Sequence, residues 1–280
     1  MSTKTISIIN LKGGVAKTTT TAGLAEFLSG VYGKKVLVID LDPQTNCTTM
    51  LIGEKRWCEL NNAGNTLCTM FKDALANEHN FNISSAIQKG VSGISEVKSL
   101  DLLPSSLDLI EIQDMLVNIP QGAFYANNPT EILRRATFEV RSSYDYILID
   151  CPPNMGLITL NGLRISDGYI IPTIPDFMST YGIPQIIKRV KQFSREISEV
   201  IDCLGIVATK VRSQSGLHTK TLKELQREQD ADLFDTIFYE NTDMANAAEY
   251  NQVNTLRQRW GYRGQYDSFD AFTREVMSKL

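Results

Sequence analysis

Histidine and tryptophan are scarce in this 280-residue chain, two of each, and a long hydrophobic run is missing altogether. No stretch approaches the ~18 consecutive apolar residues that a membrane-spanning helix requires. The five cysteines, Cys47, Cys58, Cys68, Cys151 and Cys203, are odd in number, scattered, and include no C-x-x-C pair. That spacing suggests neither a disulfide framework nor a closed zinc site, and it reads as reduced cytosolic thiols. Met1–Asn10 is a short apolar alternation running into glycines, not a signal peptide, so a cytoplasmic protein is expected. His79 and His218 stand alone, without ligand spacing, and read as surface residues. Positive charge is short too: 28 Lys and Arg face 32 Asp and Glu, a net charge of −4. This balance excludes an all-over basic coat for nucleic acid but leaves a local basic face open.

What is present is ample material for a core, with 42% apolar and 21% charged residues. Seven short runs read as strands: Thr5–Leu11, Lys35–Ile39, Leu100–Leu103, Tyr146–Ile149, Gly168–Thr173, Leu204–Thr209 and Leu233–Phe238. Their near-continuous apolar character suits strands buried on both faces of a parallel sheet. Amphipathic stretches of helical spacing lie between them, including Thr20–Tyr32, Thr130–Arg141, Gly182–Ile197 and Leu217–Gln229. No linker, low-complexity tract or repeat interrupts this rhythm. The expected fold is therefore α/β: residues 1–280 as a single doubly wound domain, its mostly parallel sheet flanked by helices. Glu54–Asn65 and Asn118–Pro129, rich in Asn and Gly, read as irregular surface insertions.

The segment Asn10-Leu11-Lys12-Gly13-Gly14-Val15-Ala16-Lys17-Thr18-Thr19 carries the clearest chemistry. It follows a strand and opens a helix, the context in which backbone N–H groups converge on an anion. Lys17 would reach the β- and γ-phosphates of a nucleotide, and the Thr18 hydroxyl would take one Mg²⁺ position. Leu11 and Ala16 stand where G-x-x-x-x-G-K-[ST] wants glycines, so the fit is to a deviant form, K-G-G-x-x-K-[ST]. Its second cation, Lys12, is costly beside Lys17 unless a triphosphate neutralises it. The predicted nucleotide-binding residues are Lys12, Gly13, Gly14, Val15, Ala16, Lys17, Thr18 and Thr19.

Two apolar strands end in acids, Val36–Ile39 in Asp40 with Asp42 beyond, and Tyr146–Ile149 in Asp150. Ligands of open parallel sheets bind past the carboxyl ends of the strands, so these three carboxylates are expected to meet the phosphate loop. Mg²⁺ prefers oxygen and keeps waters, which suits aspartates that hold it through water.

With these residues in place, the chain resembles a ParA-type partition ATPase, within the deviant-Walker P-loop NTPases that include MinD, ArsA and the nitrogenase iron protein. The resemblance rests on Lys12–Thr19, Asp40–Asn46, Asp150–Pro153 and Gly156–Leu163, and it is good over residues 4 to about 53 and about 144 to 210. It implies an ATP-sandwich homodimer in which Lys12 crosses to the partner's nucleotide. It implies that Lys12, Lys17 and Asp42 are catalytic, Asp42 orienting the attacking water. Thr18, Asp40 and Asp150 would hold Mg²⁺, the aspartates through water. Cofactors would be ATP and Mg²⁺. Partners would be a second copy, non-specific DNA, and a ParB-like or other adaptor that stimulates hydrolysis, with nucleoid association in the ATP state. The cysteines do not match the ligand positions of the iron protein. Many relatives have Gly at position 16; Ala there is expected to hold a helix-like φ.

A MinD-like alternative would insert a C-terminal amphipathic helix into membrane. Asp267–Leu280 does place Phe269, Phe272, Val276 and Leu280 on one stripe, but its charges sum to −1. A membrane-surface helix wants a Lys/Arg-rich polar face, so this helix is expected to dock on the core. For DNA, Gln185–Glu228 holds nine cations, Lys210 and Arg212 among them, against five acids. The candidate contacts are Lys220, Lys223 and Arg227, with Arg257, Arg259 and Arg263 near the C-terminus; such a face would bind without reading sequence. ParA-like chains are typically basic after the last strand, where this one has Glu240 and Asp243, which argues against contact by that loop.

Overall fold

Alternate residues of the central strands feed two separate cores. In the computed structural model, which describes residues 2–117, 128–227, 230–262 and 264–280, Val36 and Val38 face one core while Leu37 and Ile39 face the other. Tyr146 and Leu148 part from Ile147 and Ile149 in the same way. A strand buried on both faces has no polar side to show, which is why its sequence is continuously apolar.

The seven expected strands are all present: β1 (Lys4–Ile8), β2 (Val36–Asp40), β3 (Leu100–Leu103), β4 (Tyr146–Asp150), β5 (Gly168–Thr173), β6 (Asp202–Val211) and β7 (Leu233–Tyr239). They form one sheet in the order β3-β2-β4-β1-β5-β6-β7, and every pairing is parallel. The chain moves to one side of β1 for β2 and β3 and fills the other side with β5, β6 and β7. β1 thus stands at the point where a doubly wound sheet opens a crevice for ligands.

One face of the sheet is covered by α1 (Lys17–Gly30), α2 (Asn46–Ile52), α13 (Leu256–Trp260) and α14 (Gln265–Ser278). The other is covered by α4 (Leu67–Ala76), α6 (Leu109–Val117), α7 (Ile132–Arg141), α8 (Leu157–Arg164) and α10 (Ile183–Ile197). The remaining helices are short or peripheral: α3 (Glu54–Asn62), α5 (Ile83–Ala86), α9 (Phe177–Thr180), α11 (Gly216–Leu225) and α12 (Thr242–Asn246). The segment expected to be irregular at Glu54–Asn65 is largely helical, as α3, with only Leu60 buried. Most of Asn118–Pro129 lies outside the described residues.

α14 settles on the core as its charge pattern predicts. Phe269, Phe272 and Val276 are buried, with Phe269 packed against Trp260, Phe238 and Phe27 at ring separations of 4.4, 4.6 and 5.5 Å. Gly23 makes room for this contact, since a Cβ there would meet the Phe269 ring at 2.2 Å. Among the described residues no helix is long and apolar enough to cross a membrane.

Candidate phosphate site

The register of the central strands assembles the site. Asp150 pairs with Ile8 on one side and with Asp40 on the other, so two carboxylates occupy one rung at the carboxyl edge of the sheet. By strand alternation both point to the face that α1 covers. There Thr18 and Thr21 of α1 donate to Asp150, at 2.7 and 3.2 Å. The Thr48 hydroxyl and backbone N–H of α2 donate to Asp40, at 2.7 and 2.8 Å. Asp42 lies two residues further, buried, its backbone N–H donating to Asp40 and its carboxylate accepting from Gln44 N–H.

Between β1 and α1 runs the glycine loop. Gly14 takes φ 78°, and a Cβ at Gly13 or Gly14 would meet nothing within 4 Å, so the loop has open space over its backbone. Val15 is buried beneath it. Ala16 is a correction: it holds φ 64° and ψ 30°, left-handed, instead of the helix-like φ expected of a residue with a Cβ. It caps α1 from that conformation, and the neighbouring tight turn keeps it there despite a cost of roughly 1 kcal/mol. Thr18 and Thr19 follow in the first turn of α1, where N–H groups lack intrahelical partners and can meet an anion.

Lys17 is 7% exposed and its ammonium donates to the Lys12 carbonyl at 3.1 Å. Burial lowers its pKa, while Asp150 and Asp42 pull it back up. The acids move the other way. Burial raises Asp40, with Asp150 adding to the effect, and burial raises Asp150 and Asp42 as well. Buried like charges beside a single lysine favour a further cation. The available donors, the Thr18 hydroxyl and the Asp40 and Asp150 carboxylates, are all hard oxygens of the kind Mg²⁺ takes. Among the described residues no three acidic, histidine or cysteine side chains converge into a complete metal cage. A metal here would need oxygens from a ligand or from water to fill its shell.

Several contributors escape sequence reasoning. Ser105, just past β3, donates its hydroxyl to the Asp42 carbonyl at 2.7 Å and its N–H to Thr48 at 3.0 Å, pinning the Asp42 turn. Its place beyond a strand's carboxyl end was the available signal. Asn10 ties the loop to β5, donating to the Pro172 carbonyl and accepting from Lys12 N–H. From β6, Thr209 and Lys210 reach the loop at the carbonyls of Val15 and Gly14.

The candidate DNA contacts separate into different classes. Lys220, Lys223 and Arg227 are exposed on or just after α11, with Lys220 3.8 Å from Glu224. Arg257 is exposed, lies over the Tyr266 ring at 3.9 Å and pairs with Asp267. Arg259 cannot touch DNA. It is buried, paired with Glu26 and donating to the Met50 carbonyl, because α13 turns it inward against α1 and α2. Arg263 lies outside the described residues. Glu240 forms a two-point pair with Arg212 on the exposed surface, offsetting the charge of one cation of the basic stretch. His218 is also a correction: it is buried, and its Nδ1 accepts from Arg212 N–H.

Comparison with known proteins gives this geometry a context. A family model described as an AAA domain matches residues 3–203. The sporulation initiation inhibitor protein Soj of Bacillus subtilis is 28% identical over 253 residues, 89% of each chain. The chromosome partitioning protein ParA of Caulobacter vibrioides is 25% identical over 250 residues, 89% of this chain and 85% of that one. Among solved structures, cobyrinic acid a,c-diamide synthase from Mycobacterium smegmatis, with an ATP analogue and magnesium bound, matches with a TM-score of 0.75. It is 22% identical and the match covers 98% of this chain and 94% of that one, a likeness of fold.

Proposed function

We propose, for a chain that belongs to the ParA-type P-loop partition ATPases, that it binds and hydrolyses Mg·ATP and uses the nucleotide to time its own dimerisation on DNA. The observation that carries this reading is the meeting of Lys17, Thr18, Asp40, Asp42 and Asp150 at the mouth of one glycine loop. Loop N–H groups and Lys17 would hold the phosphates. Thr18 would contact Mg²⁺ directly, with Asp40 and Asp150 behind it through water. The metal would neutralise charge on the β- and γ-phosphates. The ATP analogue and magnesium held by the synthase of the same fold support ATP and Mg²⁺ as the ligands.

Lys12 is half-buried on the loop, with its backbone held by Asn10. Supplied in trans to a second copy's nucleotide, its ammonium would make hydrolysis depend on dimerisation, since phosphoryl transfer is catalysed mainly by positioning and charge. Asp42, held by Gln44, Asp40 and Ser105, would orient the attacking water.

For DNA, the exposed cations of α11 with Arg257 would meet phosphates without reading bases. An adaptor protein of the ParB kind would stimulate hydrolysis and release, and the ATP-bound dimer would sit on the nucleoid. A MinD-like membrane role is disfavoured because the apolar stripe of α14 is engaged with Phe27, Phe238 and Trp260. The test is a salt titration of binding to random-sequence duplex DNA with and without ATP. ATP-dependent affinity that falls steeply with salt is expected. Salt-insensitive or ATP-independent binding, or capture by anionic vesicles in its place, would overturn the DNA reading.

A further inference from the structure

β6 departs from regular pairing just where it meets the phosphate loop. Ala208 pairs with Ile237 and Val211 with Tyr239, so β6 advances three residues while β7 advances two. The surplus falls at Thr209–Lys210, and Lys210 takes φ 49°, a left-handed backbone that L side chains rarely adopt. A bulge of this kind breaks strand alternation and re-aims a side chain, and such features concentrate beside functional sites.

The re-aimed side chain crosses to the glycine loop. The Lys210 ammonium donates to the Gly14 carbonyl at 2.8 Å, and the adjacent Thr209 hydroxyl shares its one proton between the Val15 and Thr173 carbonyls, each at 3.1 Å. Lys17 holds the Lys12 carbonyl. Side-chain donors therefore hold three carbonyls of the loop. A peptide has its C=O and N–H on opposite sides, so tying the carbonyl from outside turns the N–H toward the space where an anion would sit. The sequence groups Lys210 with the DNA-facing cations; its ammonium is instead engaged on the loop.

We propose that Lys210 is a positioning residue of the phosphate loop, acting through the Gly14 carbonyl to hold the loop in its anion-accepting form and adding positive charge on its outer flank. This rests on the nucleotide-binding reading above. Lys210 needs no contact with the reacting atoms, so it affects how tightly nucleotide is held more than how fast it is cleaved.

The experiment is calorimetric titration of the full chain with Mg·AMPPNP, alongside steady-state ATP turnover, for the parent, Lys210→Met, Lys210→Gly and Lys210→Arg. Glycine suits the left-handed backbone and so removes the side chain while keeping the bulge. Loss of one charge-assisted hydrogen bond predicts Kd and KM raised ~fivefold in the Met and Gly variants, with kcat within about twofold. Lys210→Arg should restore most of the affinity, which a purely structural role would not require. An unchanged Kd in both Met and Gly variants, or a fall in kcat alone, overturns the proposal. So does weaker binding to random duplex DNA at saturating nucleotide with Kd unmoved. Failure of the parent chain to bind Mg·AMPPNP is a separate result, which would remove the nucleotide-binding reading itself and this inference with it.

Discussion

Arg259 and Glu26, from opposite ends of the chain, face each other at 3.4 Å in an ion pair closed off from solvent. Glu26 lies in the middle of α1, fully buried, and also accepts from Ser92 and from the Trp260 indole, each at 2.7 Å. Arg259 donates to Met50 near the end of α2. A single buried cation thereby joins the helix that opens at the phosphate loop to the helix that follows Asp42. Removing it strands a buried carboxylate, so Arg259→Met should cost about 3 kcal/mol in urea unfolding. The double variant Glu26→Gln with Arg259→Met should cost less than Arg259→Met alone.

The same pair predicts a pH dependence. Burial already raises the Glu26 pKa, and Arg259 pulls it down. Without Arg259 the folded-state pKa rises further, so the native chain binds a proton that the unfolded chain gives up above about pH 4.3. Stability then falls as pH rises through that interval. Arg259→Met should therefore be less destabilising at pH 5 than at pH 8. Equal penalties at both would show that Glu26 does not bear the cost.

At the α1/α14 contact, Gly23→Ala forces a methyl into the Phe269 ring. Overpacking of this kind should cost about 1–3 kcal/mol. Phe269→Leu makes space, so Gly23→Ala combined with Phe269→Leu should be more stable than the two single effects summed. Chemical denaturation of the four proteins checks this, and simple additivity would mean the ring relaxes without strain.

Ala16 offers a test at the loop itself. Its φ of 64° favours glycine, so Ala16→Gly should raise stability by up to about 0.5–1 kcal/mol. Ala16→Val, β-branched at the same φ, should lower it. Thermal melts without nucleotide read both.

The proposed catalytic roles separate by readout. Lys17→Ala should abolish nucleotide binding. Lys12→Ala should bind nucleotide as a folded monomer and fail to dimerise or turn over. Asp42→Ala should accumulate as an ATP-bound dimer. Sedimentation with ATP, paired with phosphate release, distinguishes the three. Turnover at the parent rate in Lys12→Ala or Asp42→Ala would remove that residue from its role.

The seven strands were legible because two-sided burial leaves an unbroken apolar run, and the loop was legible because Lys12–Thr19 lie together in sequence. Asp40 and Asp150 could be found from their places at strand ends. What stayed hidden depends on long-range pairing. Arg259 reads as one more surface cation until α13 turns it toward Glu26, and the only hint was a glutamate between Ala25 and Phe27 in an apolar helix. Lys210 was hidden because a bulge, invisible in sequence, sends its side chain off the strand's ordinary alternation. Ala16 has a preference of its own that points away from the left-handed φ it holds in the loop.

The shared rung of Asp40 and Asp150 also constrains how the protein is assembled. A slip of one residue between β2 and β4 would carry Asp40 off the rung and onto the opposite face of the sheet. A chain mispaired at those strands would keep much of its apolar burial yet offer the nucleotide no pair of acids. Nucleotide that binds the correctly registered chain better than any mispaired one draws the population toward it by mass action. Such a ligand would serve as a proofreader of strand alignment, and its affinity would gauge how faithfully the centre of the sheet has been built.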